Sequence, residues 1–410
     1  MANTLVTPTW VTNETAQRYM NSVKGVAQFR SYDDQFRDKG GAKVGNTILV
    51  RLPQRYYARR GQGWAPQALM DRTTPVTLSY QSGVDFEWSS AQQTTELDKV
   101  RERYINPAAD VLASDSDQQG MLDVYSAIYH AVGTPGTTPS TNLAWLQAKV
   151  KILDMAGPED DLSAVLDPLA EVSLVNANTT VFNPTGARSS DWRKGQFGND
   201  QLGISEWYRD QNIPRHTTGT FTSSTPIVVS ALQTGSSIVT SGWASGATSL
   251  KKGDIVEFAG CYSVNPLSRV STGRLQQFVL TADISDTTGS ITLPISPAII
   301  TSGALQTVSN SPAASAAIYV WNTRETTYAL STTVSPQSLL LHESAAAFVV
   351  VDLSDPVGGA KASFARSKDY GISIRFVQQY LIASDQNGNR LDMLFGAAPV
   401  RVENAVRVVG

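Results

Sequence analysis

Cysteine is nearly absent. The 410 residues hold one, Cys261, so no intrachain disulfide forms and a disulfide-stapled secreted scaffold is excluded. Histidine is scarce too, and His130, His216 and His342 lie far apart in the chain. Charged residues make up 17%, against a usual ~25%. The net charge of −3 excludes a protein whose grip on nucleic acid rests on whole-chain positive charge. No apolar run approaches the ~20 residues of a membrane-spanning helix, so no membrane partner is expected. The opening MANTLVTPTWVTNETAQRYM lacks the basic and apolar regions of a signal peptide. A reducing, aqueous compartment is the expected setting.

The motifs of common chemistry are missing as well. There is no GxxxxGK phosphate loop, no GxGxxG after a strand, no HExxH, no paired CxxC and no GxSxG. Neither a cofactor nor a metal is expected, and no catalytic residue is assigned. The acidic run Glu159, Asp160 and Asp161 beside Pro158 reads as a solvated turn. A carboxylate-dependent hydrolase with a β-barrel accessory domain is one alternative, using Glu257 or Asp254. Those two are three apart on one strand, hence on opposite faces, which weakens it. A tail or adhesin protein is another, but it calls for repeats and none is visible.

What is present has a clear order. Residues 1–45 read as an N-terminal arm with a thin-faced helix over 13–30, one that needs a partner surface to order. Strand-like alternation at 46–52 and 76–82 brackets the stretch from Pro53 to Pro75, too long for an ordinary structureless connection. Arg55, Arg59, Arg60 and Arg72 interleave there with Tyr56, Tyr57 and Trp64, and Arg51 sits just before it. Arginine and aromatics are what interface anchors are made of, so these eight residues are the candidate inter-subunit contacts.

A long helix is expected over 94–132, kinked at Asn106-Pro107 and closed by Gly133 and Pro135, with His130 in its last turn. Amphipathic spacing predicts a further helix over 142–155, a buried strand over 162–168 and a short helix over 169–176. The region 181–210 is loop-rich. From 215 to 325 the chain turns to Thr, Ser and Gly, with short strands every ~8–12 residues, the mark of a small all-β barrel or sandwich. Eight strands are expected there, at 226–231, 236–240, 254–259, 261–264, 275–282, 290–294, 298–302 and 317–321, with Cys261 as a small buried hydrophobe. Beyond 337 come a short helix at 343–348, strands, and a hairpin turn at Asp385-Gln386-Asn387-Gly388-Asn389.

Several stretches together carry a family resemblance: NTILVRLP with VTLSYQSGVDFEW, RERYINPAADVLA, YRDQNIPRHTTG, KKGDIVEFAGCYSVNP, SLLLHESAAAF and ISIRFVQQYLIASDQNGNRLDMLFGAAPV. The chain resembles the major capsid (coat) proteins of tailed bacteriophages with the Hong Kong 97-type fold, within them the short-tailed-phage family that carries an insertion domain. The resemblance implies an α+β fold with six parts. These are the arm (1–45), an extended hairpin loop over a neighbouring subunit (46–93), a spine helix and peripheral domain (94–139), a first axial part (140–214), an inserted β-barrel (215–325) and an axial and peripheral return (326–410). It also implies hexamers and pentamers in an icosahedral shell, a scaffolding protein and a portal during assembly, and packaged double-stranded DNA contacted without sequence preference. A decoration protein is an optional further partner. The implied location is the virion, assembled in the bacterial host cytoplasm.

Overall fold

Among the described residues strands outnumber helices, and the helices pack against the sheets. The computed structural model describes residues 8–32, 36, 45–56, 58–64, 66–69, 71–89, 101–178, 200–321, 328–356, 360–367 and 372–410. The class is mixed α+β, as expected from the sequence. The described chain divides into two units. One holds 1–50, 74–121 and 346–398; the other holds 51–73, 122–345 and 399–410.

The first unit is built on an antiparallel sheet. Lys361–Ser367 pairs with Ile372–Leu381, that strand with Gln386–Pro399, and that in turn with Tyr80–Ser89. Phe376, Leu391, Met393 and Phe395 are buried along it. Helix α1 (Pro8–Ser22) starts and ends earlier than the expected 13–30 and finds its partner surface on its own unit. Thr12 reaches Ser363 (3.1 Å), Arg18 forms a two-pronged contact with Asp110 (2.7 and 2.8 Å), and buried Tyr19 meets Ser116 at 2.6 Å. Asp110 and Ser116 belong to helix α2 (Asn106–Tyr125). The Arg18 hydrogen bonds hold the Asp110 carboxyl below its ordinary pKa. Asp117 of α2 accepts the backbone N–H of Val26 at 2.7 Å, so the chain leaving α1 is pinned without a regular cap.

At the expected kink, Asn106-Pro107, the helix changes character: a π-turn over Arg101–Ile105 gives way to α2 at Asn106. Proline has no N–H to donate and its ring crowds the preceding turn, so the regular ladder does not run unbroken through it. The expected residues 94–100 of this helix lie outside the described ones. The hairpin also falls elsewhere. The turn is Ile382–Asp385, with Asp385 at φ 50°, while Asn387 and Gly388 lie inside the ladder opposite Tyr380 and Gln379. The register of the long strand pair outweighed the local Asn-Gly preference.

The second unit has two cores. Its mixed sheet runs Ala131–Gly133, Ala405–Val409, Val334–His342, Leu162–Leu166, Glu206–Arg209. Leu162–Leu166 is buried at every position, as a central strand covered on both faces must be. Helices α3 (Asn142–Asp154) and α4 (Pro168–Ala177) contribute Trp145, Ala148, Ile152 and Leu174 to this core, and Trp145 meets Trp207 edge to face at 5.2 Å. Asp167 caps α4 by accepting from the Leu169 N–H, with Pro168 in the first turn.

The expected long helix stops early for a tertiary reason. α2 ends at Tyr125, and Ala131–Gly133 pairs in parallel with the last strand, Arg407 opposite Ala131. Gly133 is not a helix stop. It takes φ 101°, and a Cβ there would sit 2.3 Å from the Val409 carbonyl. His130 therefore occupies no helix C-terminus. It is buried, and desolvation first, then nearby Lys151, pushes its pKa down to about 3.

The second core belongs to a barrel within the Thr/Ser/Gly-rich stretch. Six strands follow the order Ile318–Val320, Ile255–Val264, Ser271–Leu280, Ser290–Ile299, Gly235–Ser241, Ile227–Val228. The ends meet: Ile227 bridges Ala317, Val228 N–H donates to Ala316, and Ile318 N–H donates to Pro226. Phe258, Cys261, Phe278, Leu280 and Leu293 fill the interior. Burial pushes the Cys261 thiol up to about 12. Four of the eight expected strands merge into two. Ile255–Val264 runs through Gly260 (φ 77°), where the register with its partner shifts, and Ser290–Ile299 runs through Pro297. Residues that read as strand breaks are bends in continuous strands, and bulges of this kind let a sheet curve closed.

One buried carboxylate joins barrel and sheet. Asp254, wholly buried, accepts from Trp321 Nε1 (2.9 Å), Gly219 N–H (3.0 Å) and Lys251 N–H (2.8 Å), and its Oδ1 lies 2.9 Å from His216 Nε2. Gly219 is needed here, since a Cβ would stand 2.4 Å from the Ser249 carbonyl. Buried Arg407 of the last strand donates to the Gly253 carbonyl at 2.9 Å and lies over the Trp321 ring at 5.4 Å.

Asp254→Ala strands several buried donors at once, and unfolding free energy should drop by about 3–5 kcal/mol in urea titration. His130 gives the acid dependence a defined sign. Its folded pKa lies below the unfolded value, so from about 6.5 down towards about 3 only the unfolded chain takes up the proton. Its contribution to stability is whole above that window and falls with decreasing pH by up to ~1.4 kcal/mol per unit. His130→Phe should flatten that slope in urea titrations between pH 7 and 5.

Candidate assembly surface

The arginine-rich segment grows from a short ladder between Thr47–Arg51 and Thr73–Thr77. Leu52 N–H donates to Arg72 O at 2.8 Å, continuing the pairing by one step. Between these points no further strand forms among the described residues. A segment with Pro53, Gly61, Gly63 and Pro66 and no apolar alternation has no ladder to offer.

The structure separates the eight candidate residues into a held base and an open tip. At the base, Arg55 is half-buried and its Nη2 lies 2.9 Å from Glu403 Oε1. Arg72 is half-buried, with Nη2 3.3 Å from Pro53 O. Burial first, then the neighbouring Arg55 charge, lowers its pKa. Arg55, Tyr56 and Arg72 line a cavity of about 270 Å³ with Met155, Leu267, Arg401 and Glu403. At the tip, Arg59 and Arg60 are exposed, and Arg59 turns back to the Gly61 carbonyl. Trp64 is 88% exposed and Leu69 is 73% exposed. Arg51 is exposed where the strand ends, and Tyr57 lies outside the described residues.

Sequence reasoning missed Glu403, Arg401, Met155 and Leu267 as members of this surface. Only the mixed charge of Arg401, Glu403 and Arg407 in the last segment hinted at a role, and no spacing tied it to residue 55. Leu69 was legible as an apolar residue in a polar stretch but was not singled out. The carboxylates weighed for hydrolysis do not form a site. Asp254 is fully engaged as described, and Glu257, 3% exposed, accepts from Gln277 Nε2 at 3.1 Å. Among the described residues no group of three or more His, Cys, Asp or Glu could hold a metal ion, and no helix is long and apolar enough to cross a membrane.

The family model described as P22 coat protein, gene protein 5, matches residues 42–410. No curated protein matches the sequence. Among solved structures, the chain is similar to one from Mycobacterium phage Che8, with 12% identity over 95% of this chain and 90% of that one and a TM-score of 0.46. It is similar to the capsid of Ralstonia phage GP4 at 9% identity, over 94% of this chain and 87% of that one, with a TM-score of 0.46. The CUS-3 coat protein I-domain is 25% identical over 26% of this chain and 96% of its own length, with a TM-score of 0.17.

The base and tip should differ in what they give the single chain. Glu403→Ala removes the partner of a half-buried arginine and should cost about 1 kcal/mol of stability. Trp64→Ala should leave the calorimetric midpoint within about 1 °C of the parent, because little surface there is removed from water on folding.

Proposed function

The chain belongs to the P22 coat protein family; we propose that its copies close into an icosahedral phage shell of hexamers and pentamers, with the tip of segment 51–73 reaching a neighbouring copy. It is a major capsid protein, and its role is structural rather than catalytic. The observation that carries the contact assignment is the exposure of Trp64 beside Arg59 and Arg60. An indole buries roughly 200 Å², so moving it from water into a neighbour's surface contributes about 5 kcal/mol at ~25 cal/mol/Å². Part of that offsets the cost of association. The remainder repeats at every contact of a closed shell, where many modest interfaces add.

The finer reading keeps the Hong Kong 97-type frame, with the barrel as an inserted domain and 46–93 as the extended loop. Scaffolding protein and portal are the partners expected during assembly in the host cytoplasm, and double-stranded DNA is the cargo of the virion. The net charge of −3 suits a subunit that encloses DNA without gripping it.

Arg59→Glu with Arg60→Glu, or Trp64→Ala alone, should cut the yield of closed particles about tenfold or more while circular dichroism stays that of the parent. Electron microscopy and sedimentation of purified subunits read the outcome; parental yield from these variants would remove the tip from the interface.

A further inference from the structure

Positive charge gathers at the base of the segment without an equal number of carboxylates. Arg55 and Arg401 both approach one oxygen, Oε1 of Glu403, at 2.9 and 3.5 Å. Arg72 borders the same cavity and donates to a backbone carbonyl. A carbonyl satisfies a donor but cancels no charge. Three guanidinium groups, those of Arg55, Arg72 and Arg401, thus border the cavity with a single carboxylate, that of Glu403.

We propose that this cavity is a carboxylate pocket filled by an acidic side chain from a second copy of the chain, supplied by the turn Glu159–Asp161. The proposal rests on the assembly reading and names the partner surface at the loop's base. Glu159, Asp160 and Asp161 are consecutive and exposed, and no ion pair engages them among the described residues. The cavity, about 270 Å³ with apolar walls from Met155 and Leu267, has the size and character for one or two side chains. The convex phosphate ridge of a duplex does not enter so narrow a hollow. The acidic turn begins just after Ala156, which itself lines the cavity. Acid and base patches side by side on one copy are self-complementary about a two-fold axis, each copy filling the other's pocket. Charge-assisted hydrogen bonds from arginine then favour this pairing over like-charged alternatives.

A charge swap tests it on the full chain. Arg72→Gln keeps a donor for Pro53 and removes only the charge; Arg72→Glu reverses it; Asp160→Arg reverses the turn. Each reversal should lower particle yield about tenfold, the effect of ~1.4 kcal/mol, and Asp160→Arg, on an exposed turn, should leave the thermal midpoint of the subunit unchanged. Arg72→Gln should fall between. The double variant Arg72→Glu/Asp160→Arg should recover most of the yield. Parental yield from Arg72→Glu, or a double variant no better than the singles, overturns the proposal while parental shells still form. Normal shells with reduced DNA content overturn it as well and give the pocket to phosphate. If the parent chain forms no particles, the assembly reading itself fails.

Discussion

Burial of the Asp254 carboxylate sets the terms for the larger unit. A carboxylate out of reach of water is tolerated only when its lone pairs are filled. Here they are filled by the residues where the chain enters the barrel, Gly219 and His216, and where it leaves, Trp321. Arg407 adds the final strand by stacking on the Trp321 ring. The barrel closes on its own ladders, and this joint ties it to the sheet together with Gln277, which accepts from the Ala131 N–H and Lys151, and the Arg274–Asp154 ion pair. Of the two carboxylates weighed for hydrolysis, Asp254 is committed to this joint, and Glu257 accepts a hydrogen bond from Gln277.

The same economy of charge governs the projecting segment. Its base is anchored through Glu403, and its tip carries exposed aromatic, aliphatic and guanidinium groups that find no cover on the single chain. In the proposed contact, holding the base limits the freedom lost when a neighbour covers the tip, which lowers the cost of association; a segment free along its whole length would lose more entropy on ordering.

Local signals were legible where one element decides its own state. The Leu162–Leu166 strand, the α3 and α4 helices and the barrel composition follow from spacing, caps and β-branched content. So did the tip of the candidate surface, since Arg59, Arg60 and Trp64 need no distant partner to be exposed. Failures cluster where a remote strand overrode a local preference. Gly133 ended no helix because Val409 was waiting beside it, and Asn387-Gly388 formed no turn because Tyr380 and Gln379 held it in register. Gly260 and Pro297 punctuate the sequence, yet a closing barrel uses them as bends.

The sequence by itself determined the class of the molecule: mixed α+β, without disulfide or membrane-spanning helix, with an arginine–aromatic segment and an all-β stretch in its second half. Hydrophobic period, turn chemistry and composition act over a few residues, so they survive without a fold. Only the tertiary structure decided that Arg55 meets Glu403, that three arginines line a cavity with one carboxylate, and that Asp254 and Arg407 make one joint. Those pairings span tens to hundreds of residues, and their energy depends on burial and distance, which no local pattern encodes.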